Sequence, residues 1–200
     1  MLVDILGRFD ANIGRVENLK SIYGPARAGR RKVHETDILR AALVLLHATM
    51  EDFLRSLQVW KAPGWAKDAV DKYPLSGNAK KRTEKFSLGE LVAHRGKTVD
   101  DLITQSVTEY LKQYSSFNDL GQVKDALRHC GISQAGLEAH DYGLLPTMIE
   151  RRHNIVHKAD RNDQVGGQGN HRTKSIEVSQ LDKYLTAVKN LRQLVEDHLG

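Results

Sequence analysis

The chain has few of the residues that would build a covalent or membrane-bound scaffold. A single cysteine, Cys130, excludes an internal disulfide framework and a cysteine-rich zinc site. No apolar run is long enough to cross a bilayer, and no signal-peptide pattern follows Met1. Only four prolines interrupt 200 residues, so long stretches are free to form helices. These absences predict a cytoplasmic protein without membrane contacts.

The charge balance is mildly positive. Lys and Arg number 30 against 25 Asp and Glu, which gives a formal net charge of +5. An excess of this size is compatible with a polyanionic partner such as nucleic acid. It does not require one, because structural ion pairs use the same side chains.

The spacing of apolar residues indicates helices throughout. Apolar side chains recur at steps of three and four, and no β-type alternation appears, so we expect one all-α domain over residues 1–200. The strongest helix spans residues 36–60, with Thr36 or Asp37 as its cap, and it is apolar almost all round in its first half. It should therefore lie at the centre of the bundle. Helices are also predicted over residues 144–159 and 178–199, and an exposed polar loop over residues 160–170.

The helix over residues 144–159 carries an arginine on its apolar face. At about 100° per residue, Arg152 falls at the centre of that face, whereas His153, His157 and Asp160 share one flank. The face itself consists of Leu145, Met148, Ile149, Ile155, Val156 and Ala159. A buried guanidinium needs an anionic partner. We expect either a contact between Arg152 and Asp52 of the central helix or a cleft where an anionic ligand binds.

The same segment resembles a known signature. An arginine, a polar residue and then a histidine five positions after the arginine resemble the R-x4-6-H motif of the HEPN superfamily; here the run is RHNIVH, from Arg152 to His157. The run ALVLLHATMEDFLRSL is similar to the central helix of that family. The element order matches from residue 36 to the C-terminus, and the RiboL-PSP branch is the most similar. The resemblance implies a HEPN-type helical bundle with a long central helix and extra short helices.

The resemblance also implies a function, that of a metal-independent endoribonuclease without a cofactor. His157 would be the principal acid or base, Arg152 would stabilise the phosphate, and His153 and Asn154 would orient these groups. Supporting roles fall to three further charged residues: Glu51, Asp52 and Arg151. One arginine and one histidine per chain form an incomplete set, which predicts a site shared across a homodimer. RNA would be the substrate, and a toxin or anti-phage role with an antitoxin or defence-system partner follows by analogy with the family.

Two other interpretations remain open at this point. His153 and His157, one helical turn apart, could ligate zinc with Asp160 or Glu150 as a third ligand. Alternatively, the chain could be a non-catalytic dimerisation or protein-interaction module. Arg152 would then form a core salt bridge, and the two histidines would be surface or interface residues.

Overall fold

The computed structural model describes residues 1–24, 33–77, 88–162 and 173–200. Within these ranges the regular structure is helical, no strand is present, and one isolated bridge joins Arg161 to Thr173. The predicted all-α class is confirmed. In chain order the α-helices are α1 (Leu2–Ile22), α2 (Val33–Lys61), α3 (Lys67–Val70), α4 (Val99–Tyr114), α5 (Leu120–His129), α6 (Gln134–Ala139), α7 (Leu145–Lys158) and α8 (Val178–Leu199). Short 3₁₀ helices cover Ala62–Gly64 and Leu88–His94.

Helix α2 is the centre of the fold, as its apolar sequence predicts. Its buried side chains include Leu39, Leu43, Leu46, Met50 and Phe53, and the other long helices pack around it. Each such side chain contributes about 1.5–3 kcal/mol when it is fully removed from water. A smaller apolar cluster, formed by Ala62, Val107 and Leu111, fastens α4 to the end of α2.

Local capping explains several helix starts, but not that of α2. The Thr98 hydroxyl accepts a hydrogen bond from the backbone N–H of Asp101 in a capping box, and the Asp119 side chain caps α5. Thr36 and Asp37, the expected caps of the central helix, lie inside it because α2 begins at Val33. Their side chains instead accept hydrogen bonds from Arg40, at 2.6 and 3.0 Å.

None of the helices in the described ranges is both long enough and apolar enough to span a membrane.

Candidate functional site

Helix α7 presents Arg152 toward the central helix. Leu145, Met148 and Ile149 are buried, and Arg152 follows them on the same face, half-buried. Beyond this point the expected apolar face continues only through Ile155, which is half-buried against the core, because Val156 is 47% exposed and Ala159 is also exposed. Arg152 therefore lies at the end of the buried stripe, where the interior meets solvent.

The expected contact between Arg152 and Asp52 is absent. Asp52 lies on the side of α2 that faces α1, where its Oδ2 accepts a hydrogen bond from Arg8 Nε at 2.9 Å. Arg152 forms no hydrogen bond or ion pair with any described residue. Its Nε is buried without an acceptor, whereas its two terminal nitrogens keep access to solvent. A guanidinium without a partner carboxylate is the arrangement that an anionic ligand would complete.

Three polar groups form a row on α2, and one of them, His47, interacts electrostatically with Arg152. His47, Glu51 and Arg55 follow one another at four-residue steps, so they lie along one side of the helix. Glu51 Oε1 lies 3.7 Å from His47 Nδ1, and Glu51 Oε2 lies 3.4 Å from Arg55 Nη2. Arg55 is held in turn by Ser115, whose carbonyl accepts from Arg55 Nη2 at 2.7 Å. The Glu51 carboxylate is therefore occupied by its own helix and does not pair with Arg152.

His47 is neutral and fully buried beside Arg152. Burial lowers the pKa of His47; Glu51 opposes this shift, and the positive charges of Arg152 and Arg55 add to it. His47 Nε2 lies 3.2 Å from the carbonyl oxygen of Phe117. Because a carbonyl only accepts, Nε2 carries the proton and donates it, and Nδ1 keeps a lone pair. That lone pair has no hydrogen-bond partner among the described residues.

Acidification should destabilise the protein partly through His47. Because its folded pKa is lowered, His47 binds a proton more readily when the chain is unfolded, so stability is lost as the pH falls below the ordinary histidine value of about 6.5. The variant His47→Gln keeps a donor for Phe117 but does not titrate. Between about pH 7.5 and pH 5.5, the free energy of unfolding of this variant should fall by about 1 kcal/mol less than that of the wild type. Urea unfolding at both pH values measures the difference. Parallel losses in the two proteins would contradict a neutral buried His47.

The two histidines of the motif lie on the outer flank of α7. His153 and His157 are exposed, and their rings contact each other with centroids 4.6 Å apart and planes inclined by 43°. In the described structure no hydrogen bond or ring contact joins either of them to Arg152. Asn154 is half-buried, and its backbone carbonyl accepts from the N–H groups of Ala159 and Asp160. Within one chain, Arg152 and the two histidines therefore lie on different sides of α7.

Asp160 does not belong to the histidine flank, contrary to expectation. The chain leaves α7 through two residues with left-handed backbone, Ala159 (φ 48°) and Asp160 (φ 54°), which turns the Asp160 side chain inward to 0% exposure. Its Oδ2 accepts from Arg40 Nε at 2.8 Å and from Arg151 Nη2 at 2.7 Å. Both arginines also donate to the Lys174 carbonyl, at 2.7 and 3.1 Å. We name these side chains, Arg40, Arg151 and Asp160, the arginine clamp.

The clamp changes two assignments made from the sequence. Arg151, expected in a supporting role at the site, holds the turn after α7, and the exposed loop expected over residues 160–170 begins with a buried residue; residues 163–170 lie outside the described ranges. The zinc alternative also loses Asp160, because two guanidinium groups hold that carboxylate. Within the described ranges, no group of three or more His, Cys, Asp or Glu side chains could hold a metal ion.

His47 is the residue that sequence reasoning overlooked. A signal was available in the row His47, Glu51 and Arg55, which places polar groups on one line of an otherwise apolar helix. Such a line indicates a buried polar network or a ligand-facing groove rather than a solvated edge.

Comparison with known proteins supplies no family for this chain. No family model, no curated protein and no solved structure matches it. The fold places it in the all-α class, and its function has to be argued from its own side chains.

Proposed function

We propose that the protein is a metal-independent endoribonuclease of HEPN type. The observation that carries the proposal is the Arg152 guanidinium, whose terminal nitrogens reach solvent without a carboxylate partner among the described residues. A guanidinium of this kind can bind two phosphate oxygens in a planar fork. The exposed pair His153 and His157 lies on the same helix, immediately after Arg152 and one turn further on. These groups match the R-x4-6-H signature that the sequence resembles.

The proposed reaction needs one base and one acid. A histidine removes the proton of a ribose 2′-hydroxyl, and the 2′-oxygen attacks the adjacent phosphorus. The bond from phosphorus to the 5′-oxygen breaks, and a second protonated group delivers a proton to that oxygen. The products are a 2′,3′-cyclic phosphate and a 5′-hydroxyl end. Arg152 offsets the negative charge that builds on the phosphorane, and His157 is the principal proton-transfer group.

The site is proposed to form between two copies of the chain. Arg152 and His157 are separated by about 140° around α7, so one chain does not point both at a single phosphate. A second α7, packed against the first, would bring the arginine of one copy to the histidines of the other. The exposed Val156, which lies between them on the helix, gives such a contact an apolar centre. The homodimer is therefore part of the proposal.

The first test is RNA cleavage without divalent metal. Wild-type protein, His157→Ala and the control His198→Ala are incubated with cellular RNA in EDTA, and the fragment ends are analysed. His198 is a suitable control because it lies on α8, where its Nδ1 is 2.9 Å from the Leu194 carbonyl oxygen of the same helix. We expect cyclic phosphate ends from the wild type and the control, and a rate at least about 10²-fold lower for His157→Ala.

The outcomes of that test distinguish the proposed nuclease from its alternatives. Equal cleavage by all three proteins would indicate a contaminant or another site, and the role of His157 would be wrong. The absence of cleavage by a well-folded wild-type dimer would favour the interaction module instead. Cleavage that requires added metal would overturn the proposed chemistry.

A further inference from the structure

A second polar site lies along α2, at the end away from Arg152. It is a cavity of about 280 Å³ between the second half of α2, the segment that joins α4 to α5, and α5 itself. Its lining includes Gln58, Tyr114, Phe117, Asp125 and His129. The volume lies just below the usual range of about 300–1,000 Å³ for ligand pockets, so it suits a single small ring system rather than a larger ligand.

The side chain that marks this cavity as a binding site is Gln58. It is only 4% exposed, yet its amide forms no hydrogen bond with any described residue. The amide atoms themselves are not sealed from solvent, so they reach the space of the cavity, where a ligand can form hydrogen bonds with them. The amide presents a donor and an acceptor side by side, which is the pattern that pairs with the edge of a nucleobase.

The walls of the cavity are suited to a flat ring. Tyr114 exposes 47% of its surface, and His129 contributes an imidazole that packs on Trp65, with ring centroids 5.7 Å apart. Burial lowers the pKa of His129, and the nearby Lys72 adds to the shift, so the ring is uncharged at neutral pH. Aromatic and imidazole faces are the surfaces on which unpaired bases stack.

The charge of the lining disfavours a phosphate. Among the described residues that line the cavity, Asp125 alone carries a charge, and no lysine or arginine is present. Arg128, which lies outside the lining, donates to Asp125 Oδ1, and the second carboxylate oxygen can accept a hydrogen bond from the exocyclic amino group of a base. The chemistry of the cavity therefore points to the base of a nucleotide and not to its phosphate.

We propose that this cavity binds one unpaired, amino-bearing base of an RNA strand whose phosphate contacts Arg152. This inference rests on the proposed function, because the RNA substrate of the nuclease supplies the base. The two sites share one face of α2, and Phe117, which lines the cavity, accepts the hydrogen bond from His47 beside Arg152. From His47 to Gln58 the helix rises roughly 16 Å at about 1.5 Å per residue, a distance that a few nucleotides of single-stranded RNA can span. Cleavage position is then set by which base occupies the cavity.

The test measures base binding separately from cleavage. Adenosine is titrated into full-length wild-type protein, Gln58→Met and the control Gln113→Met, and binding is followed by calorimetry and by tryptophan fluorescence. Trp65 is a local reporter, because its indole N–H donates to the His129 carbonyl at 2.7 Å. Methionine keeps the length of glutamine and its helix propensity but removes the amide. Gln113 is an exposed glutamine of α4 outside the cavity lining.

The expected result is adenosine binding by the wild type and the control, weakened at least about tenfold in Gln58→Met by loss of the paired hydrogen bonds. Ribose 5-phosphate, which has the phosphate but no base, should not compete. Equal adenosine affinity in all three proteins, or equal binding of ribose 5-phosphate, would overturn the base site. RNA cleavage without adenosine binding would also overturn it while leaving the nuclease intact. Adenosine binding without any RNA cleavage would instead overturn the proposed function and leave the base site standing.

Discussion

Asp160→Asn should lower the free energy of unfolding by about 3–5 kcal/mol, the loss that follows when one partner of a buried ion pair is removed. The carboxylate is fully buried and is approached by two guanidinium groups, from Arg40 and Arg151, at 2.8 and 2.7 Å. Arg40 is itself buried. An asparagine would leave both positive charges without their shared anion in a poorly solvated space.

Release of backbone strain should offset part of the expected loss. Ala159 and Asp160 both hold left-handed backbone, which costs an L-residue roughly 1–2 kcal/mol. Hydrogen bonds hold the turn, one from the Asp160 N–H to the Asn154 carbonyl and one from the Lys174 N–H to the Asp160 carbonyl, each at 2.9 Å. When the clamp is weakened, the turn is free to relax, and part of this strain is released.

The matched control for this variant is Asp37→Asn. Asp37 also pairs with Arg40, at 3.0 Å, but its side chain is 60% exposed. Solvent-exposed ion pairs contribute between zero and about 1 kcal/mol. Urea unfolding of both variants, followed by circular dichroism, should therefore separate them clearly. Similar losses in the two would contradict the assignment of Asp160 as the centre of the clamp.

Much of the fold could be predicted because helix periodicity and capping are local. The C-terminal helix, the Thr98 cap and the buried central helix all follow from side chains within a few residues of one another. The position of Asp160 could not be predicted in this way. Its place on the histidine flank assumes that helical geometry continues through residue 160, but the chain leaves the helix at Ala159. A buried carboxylate stabilised by Arg40, a residue 120 positions away, is a tertiary effect without a local signal.

For the candidate site, too, positions on one helix could be predicted from the sequence, whereas contacts between helices could not. The spacing of about 100° per residue placed Arg152 on the inner face of α7 and His157 away from it. Both positions follow from the geometry of a single helix. Of the two expectations for Arg152, the contact with Asp52 was wrong, because only packing decides which side of α2 faces α7 and which faces α1. Asp52 faces α1 and binds Arg8. The approach of His47 to Arg152 depends on how two helices pack, which the sequence does not encode locally.

Arg152→Met should have a large effect on RNA cleavage and almost none on stability. Methionine keeps an unbranched apolar stem for packing and removes the charge. Since Arg152 has no ion pair among the described residues, nothing is left unpaired when it is removed, and the free energy of unfolding should stay within about 1 kcal/mol of the wild type. Cleavage should fall about 10³-fold, as when a group that stabilises transition-state charge is deleted.

The adjacent arginine gives a matched control. Arg151→Met removes one of the two partners of Asp160, so it should destabilise the protein by several times more than Arg152→Met. Two neighbouring arginines would thus give opposite results, one affecting mainly stability and the other mainly catalysis. If Arg152→Met were instead the more destabilising change, Arg152 would be a core salt-bridge residue, as the interaction-module interpretation holds.

Mixing two inactive variants then tests whether the site is shared. In a heterodimer of Arg152→Met with His157→Ala, one copy supplies the histidine and the other supplies the arginine. A site between two chains should recover part of the wild-type cleavage rate after the homodimers exchange subunits, because one intact arginine and one intact histidine face each other. A site within one chain would recover nothing, since neither copy is complete. Recovery would also explain why a single chain keeps Arg152 and His157 on different sides of α7: each would face its counterpart across the dimer.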